Sequence, residues 1–203
     1  MRAYAWCGGR VWGAVIGLLC LGLAAPARAV DPIPGGTFEL GVAGGVSISH
    51  DVNRKISLDT VYGWDVLPHL GWVLTDEHGQ PLLRGNLEIL LEPMYVHLHA
   101  STQNVDLYGF AGYFRWLFTG TGALRPYLEA GGGALYGQTK LRETTCDYNF
   151  LLVPGAGLHM FFTEKAALTL GYRFQHVSNG HRCSPNLGLN SSLVTIGLDY
   201  YFR

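Results

Sequence analysis

Leu168-Thr169-Leu170-Gly171-Tyr172-Arg173-Phe174-Gln175-His176-Val177-Ser178 sets apolar Leu168, Leu170, Tyr172 and Phe174 against Thr169, Gly171, Arg173 and Gln175. That period of two belongs to a β-strand with one apolar and one polar face. Carried two steps further, the alternation places His176 and Ser178 on the apolar face. Residues two apart on a strand point the same way. An imidazole and a hydroxyl therefore stand side by side, which is the composition of a base and nucleophile pair. What the apolar face looks at decides both fold and function.

The pattern recurs eight times. Phe38, Leu40, Val42, Val46 and Ile48 alternate with Thr37, Glu39, Gly41 and Ser47 in the first stretch. The second carries Ile56, Leu58, Tyr62, Trp64, Val66, Leu70, Trp72 and Leu74 on one face and Ser57, Asp59, Asp65 and His69 on the other, with Pro68 marking a bulge or an interruption. In the third, Leu87, Ile89, Leu91 and Tyr95 oppose Asn86, Glu88 and Glu92; in the fourth, Tyr108, Phe110, Phe114, Trp116 and Phe118 oppose Tyr113 and Arg115. A glycine-rich fifth stretch spans 125–138, and a sixth aligns Phe150, Leu152, Leu158, Met160 and Phe162. The opening stretch is the seventh. In the eighth, Val194, Ile196, Leu198, Tyr200 and Phe202 alternate with Thr195, Gly197 and Asp199. Turns at 76–83, 119–124 and 163–165 fall on one side, and loops at 50–55, 99–104, 140–147 and 179–189 on the other. Both chain ends then lie with the turns. Helical patterning is absent beyond the first 29 residues.

Those first residues read as an export signal. Arg2 and Arg10 precede a short apolar run from Gly13 to Ala25, and Ala27-Arg28-Ala29 is a small-x-small cleavage sequence, predicting a signal peptide over 1–29 and a single domain over 30–203. The run is shorter than the ~20 apolar residues a membrane-spanning helix needs. The segment holds three of the 14 basic residues and none of the 15 acidic ones, leaving 11 against 15 and a net charge of −4. That balance excludes a nucleic-acid footprint. Cys146 and Cys183 remain, in an oxidising compartment. They fall in loops on the same side of the pattern, after the fifth and seventh stretches, so a disulfide between them is expected; two unpaired loop cysteines is the alternative.

Charged residues make up only 14% of the chain, against roughly 25% in soluble domains. A soluble sandwich or lipocalin-like barrel shares the alternation. Its dry core would then have to accept glycines, acids, Arg115 and Arg173. A membrane barrel instead turns the apolar faces to lipid and the polar ones inward, with strands of ~10 residues or more and aromatic girdles. The fold class expected is an all-β, eight-stranded antiparallel outer-membrane β-barrel. Small barrels of this kind fill their own interior, where Glu129 and Arg173 are expected to pair with other polar groups.

On that topology His176 and Ser178 end the seventh strand near the outer surface, facing lipid, where an unpaired histidine is costly. Traced backward, the eighth strand brings Ser192 and Asn190 onto the same outward face, with Asn190 beside His176. Asn179 and Asn186 supply amide donors nearby. Nucleophile, base, orienting group and oxyanion donors are the parts of acyl transfer. His176, His181 and Cys183 are also metal-ligand types, but no fourth ligand has suitable spacing, and no metal is expected. His181 and Arg182 are read as solvated or touching lipid phosphate. No G-x-S-x-G or H-E-x-x-H motif occurs.

The sequence resembles the lipid A 3-O-deacylase family of the PagL type. The matching runs are His176-Val177-Ser178-Asn179-Gly180 and Pro185-Asn186-Leu187-Gly188-Leu189-Asn190. Arg125-Pro126-Tyr127-Leu128-Glu129-Ala130-Gly131-Gly132-Gly133 and Ala167-Leu168-Thr169-Leu170-Gly171-Tyr172-Arg173 also look like family segments. The resemblance implies an outer-membrane serine esterase cleaving an ester-linked acyl chain of lipid A. Ser178 would be nucleophile, His176 general base, and Asn179 and Asn186 oxyanion residues. Where the family pattern has Glu as third member, this chain has Asn190, an amide that orients an imidazole without offering a charge. No cofactor is implied. The expected partners are lipopolysaccharide, outer-membrane lipid and a second copy of the barrel, with no nucleic acid. Two alternatives stand beside this reading: a non-enzymatic adhesion or structural barrel, and an outer-membrane phospholipase or acyltransferase.

Overall fold

The computed structural model describes residues 31–50, 60–119, 122–141 and 143–203. The predicted signal segment lies outside the described residues, as do Ile56 and Leu58 of the second predicted strand. Eight strands follow in order: β1 (Phe38–His50), β2 (Tyr62–Val73), β3 (Gly85–His99), β4 (Asn104–Phe118), β5 (Leu124–Tyr136), β6 (Tyr148–Phe161), β7 (Ala166–Ser178) and β8 (Leu189–Phe202). Each pairs antiparallel with the next, and β8 returns to β1, closing the barrel. Closure satisfies every strand edge, the condition for crossing hydrocarbon with strands. Phe38 pairs with Phe202, so the described N-terminal residues and the C-terminus meet at the turn end.

The alternation sorts side chains as expected. Val46 is 66% exposed on the outer wall, while Ser47 beside it is 8% exposed inside. Outward aromatics gather in two bands. Phe38, Trp72, Tyr200 and Phe202 stack near the turns, and Trp64, Tyr95, Tyr108, Tyr136 and Tyr148 near the loops. Pro68 causes an interruption of the ladder, not a bulge. Pairing of β2 with β3 stops after Val66–Tyr95 and resumes at Leu70–Leu91, with equal lengths of chain between. The register sets Pro68 opposite Pro93, and neither has an N–H to give.

The interior divides into two layers. Towards the turns lies a charged layer. Arg173 donates from Nε to Glu129 Oε1 at 2.7 Å and from Nη1 to Glu92 Oε1 at 2.7 Å. Arg115 reaches Glu129 Oε2 and Glu39 Oε1, at 3.2 and 3.1 Å. His69 Nε2 lies 2.8 Å from Asp199 Oδ1. Buried charges of this kind persist only when paired and hydrogen-bonded. Tyr127 fills space beside them, and a side chain at Gly157 would run into its ring. Towards the loops the interior is mainly aliphatic, with Leu67, Leu90, Met94, Val96, Leu107, Val153 and Leu193 packed around a buried polar group of Asp65, Gln175 and Ser191. The sequence reading expected a polar lining throughout. Inward positions near the loops in fact carry Leu, Val and Met, which exclude water by close packing.

Candidate active site

The site lies on the outer wall where β7, β8 and β1 meet. His176 and Asn190 are register partners, and His176 Nδ1 is 2.7 Å from Asn190 Oδ1. An amide oxygen only accepts, so Nδ1 carries the proton and Nε2 keeps its lone pair. Ser178 closes β7 two residues further on, half-buried on the same outward face. Along a strand two steps span ~6.6 Å. Among the described residues Ser178 Oγ forms no hydrogen bond. Phe150 and Leu152 of β6 pair with Ser178 and His176. Both are more than half exposed outward, so one flank of the site is a hydrocarbon-like surface.

The loop between β7 and β8 folds back over His176. Gly188 has φ +78°, and a Cβ there would sit 2.9 Å from His176 Cε1. Only glycine allows both that backbone and that approach. The loop between β5 and β6 holds it down. Cys146 and Cys183 form the expected disulfide, with Cα atoms 5.7 Å apart. Glu143 O accepts from the N–H groups of Leu187 and Gly188, each at 2.9 Å, and Thr144 bridges to Asn186. The disulfide also removes Cys183 from any ligand set with His176 and His181.

Asn179 is fully buried. Its side-chain nitrogen donates to Pro185 O at 3.4 Å, and its backbone N–H donates to Asn186 Oδ1 at 2.9 Å. Asn179 thus shapes the loop through its backbone N–H and its amide nitrogen, while its buried Oδ1 has no partner among the described residues. Asn186 is only half-buried, and with Oδ1 committed its Nδ2 is what it can still offer.

Three polar residues beside this cluster were not singled out as site residues from sequence. His50 closes β1 as Asn190's register partner. The sequence pattern places it at the start of a loop, although the even-numbered outward series Val46, Ile48 runs straight on to it. His50 Nε2 is 2.7 Å from Ser192 Oγ, and Tyr172 OH is 2.7 Å from the same oxygen.

A family model described as "Lipid A 3-O-deacylase (PagL)" matches residues 52–199. Among solved structures, the chain is similar to one described as the outer membrane enzyme PagL, at 21% identity and TM-score 0.55, covering 78% of this chain and 97% of that one. It is also similar to Neisserial surface protein A (NspA), at 15% identity and TM-score 0.58, covering 82% and 99%. At such identities these two likenesses speak for the barrel alone. No curated protein matches the chain.

Proposed function

The chain belongs to the lipid A 3-O-deacylase (PagL) family, and from that premise we propose that Ser178, His176 and Asn190 carry the reaction. The protein is an outer-membrane hydrolase that deacylates lipid A, a component of lipopolysaccharide. In the proposed mechanism it acts at the 3-O position as a serine esterase. Substrate reaches the wall laterally, with its acyl chain along Phe150 and Leu152. Ser178 Oγ attacks the ester carbonyl as His176 Nε2 takes the hydroxyl proton. Asn190 holds the ring through Nδ1. Asn186 Nδ2 donates to the oxyanion, on a loop that Asn179 shapes. The tetrahedral intermediate collapses, and the sugar oxygen leaves with the proton from His176. Water then attacks the acyl-enzyme, His176 takes its proton, and the fatty acid departs as Ser178 regains its hydrogen. The steps draw on no cofactor.

The observation that carries this reading is the 2.7 Å contact between His176 and Asn190 on the lipid-facing wall. A buried or lipid-facing imidazole held in one tautomer is what a general base requires. The test is mass spectrometry of lipid A from cells expressing wild type, Ser178→Ala and His176→Ala, with folding followed by heat-modified gel mobility. Both variants are expected to fold and to leave lipid A intact. Complete deacylation by folded Ser178→Ala protein removes Ser178 from the nucleophile's role.

A further inference from the structure

The β7–β8 loop that carries Asn186 is held from the side by four consecutive residues of the β5–β6 loop. Glu143 O accepts from the N–H groups of Leu187 and Gly188, each at 2.9 Å. Thr144 forms an antiparallel bridge with Asn186. Thr145 Oγ1 donates to Pro185 O at 3.4 Å, and Cys146 is bonded to Cys183. Numbers rise along one side of this short ladder and fall along the other, so the two loops form a splint of antiparallel backbone. Two strands alone are marginal in water. Asn149 ties this pair to the barrel wall. It lies on β6 opposite Leu135 and is buried on the inner face. Its Oδ1 accepts from Thr144 Oγ1, and its Nδ2 donates to Cys146 O at 2.8 Å. Both polar atoms of a strand residue therefore go to the splint, at the two positions that meet Asn186 and Cys183.

We propose that Asn149 and Thr144 are positioning residues for the reaction, which set Asn186 from outside the site so that its Nδ2 meets the oxyanion. The proposal rests on the oxyanion role given to Asn186 above. Asn186 is fixed at two points. The Asn179 N–H holds its Oδ1 at 2.9 Å, which sets the turn of the amide, and the bridge to Thr144 sets its backbone. The Thr144 hydroxyl is the link from that second point to β6. Without it the backbone of Asn186 follows the loop, and the amide follows the backbone. A donor stabilises developing charge only if it already stands where the charge will form, so a small drift of Nδ2 weakens the transition state and leaves substrate binding nearly as it was.

The test measures fatty-acid release from lipid A by the full-length enzyme in detergent micelles, per folded protein as counted by gel mobility. Thr144→Val keeps the shape of the side chain and removes the hydroxyl, Thr144→Ser keeps the hydroxyl, and Asn149→Ala removes the other partner. In Thr144→Val and Asn149→Ala kcat is expected to fall about tenfold, part of the roughly 10²–10³-fold that losing one oxyanion donor outright costs. KM should stay near the wild-type value, as for an interaction made only in the transition state. Thr144→Ser should keep the wild-type kcat. Thr144→Val is then combined with Asn186→Ala, where it should lower kcat no further, because residues that act through one another are not additive. A residue that merely stabilises the fold would lower kcat equally in both backgrounds. That result overturns the proposal, as does wild-type kcat in folded Thr144→Val enzyme or a loss that Thr144→Ser shares. The underlying reading fails separately: wild-type kcat in Asn186→Ala enzyme removes Asn186 from the oxyanion role, and the proposal falls with it.

Discussion

Gly188→Ala should disable the enzyme by pressing on His176, the proposed base. The added methyl carbon would sit 2.9 Å from His176 Cε1 and 3.7 Å from both ring nitrogens. Carbon atoms rest roughly 3.5–4.0 Å apart, so ring and loop must separate by about 0.6–1 Å. If the ring takes up that movement, its 2.7 Å contact with Asn190 stretches beyond the usual limit of about 3.2 Å. The base is then free to turn away from Ser178. A misplacement of that size costs on the order of 10²-fold in rate, which should appear in kcat. The backbone adds its own penalty, since a Cβ at positive φ costs roughly 1–2 kcal/mol. Gly36 separates the two effects. It has φ +85°, nothing lies within 4 Å of its would-be Cβ, and it sits at the turn end. Gly36→Ala should lose similar stability and keep its deacylation rate. Initial rates of fatty-acid release from lipid A, with denaturant unfolding in micelles, measure both. A folded Gly188→Ala enzyme at wild-type rate would falsify the claim that His176 must occupy this position.

Asn190→Ala should slow hydrolysis by freeing the His176 ring, while Asn190→Glu should give a modest gain because an ionised carboxylate offsets the imidazolium that forms as Ser178 gives up its proton; full activity in Asn190→Ala, read from initial rates, removes Asn190 from the site. Replacing Cys146 and Cys183 by serine opens a 37-residue loop and should lower stability by up to roughly 4 kcal/mol, seen as an earlier unfolding midpoint that wild type shows only with reductant. Arg173→Met leaves Glu92 and Glu129 without their 2.7 Å partner; a loss of about 3–5 kcal/mol is expected, and an unchanged midpoint would show that the acids are neutralised another way.

The barrel was legible because one period governs the described wall. Leu40, Val46, Phe114 and Ile196 face out, and the same count delivers His176, Ser178 and Asn190 to one face. Register then followed from antiparallel order, which is why Asn190 could be set opposite His176 before any contact was known. Three things escaped. The aliphatic inner layer did, because Leu90 and Val96 sit on a face whose acids, Glu88 and Glu92, dominated its reading. His50 did, because closure of β1 onto β8 gives a strand's last residue a partner that is distant in sequence. The commitment of Asn179 to Pro185 and Asn186 did as well, since loop hydrogen bonds follow no period. Residue type alone did not separate Asn179, whose amide nitrogen reaches Pro185, from Asn186, whose oxygen is the committed atom.

Among the described residues the aliphatic layer fills the loop half of the barrel, so chemistry at the proposed site on the outer wall would meet substrate in two dimensions. The quantity that sets the rate is then the mole fraction of lipid A in the surrounding leaflet. Diluting the bilayer with inert phospholipid should slow the enzyme even when the amount of lipid A per volume is constant. The released fatty acid also stays in that leaflet, where it competes for the proposed acyl-chain position along Phe150 and Leu152 until it diffuses away.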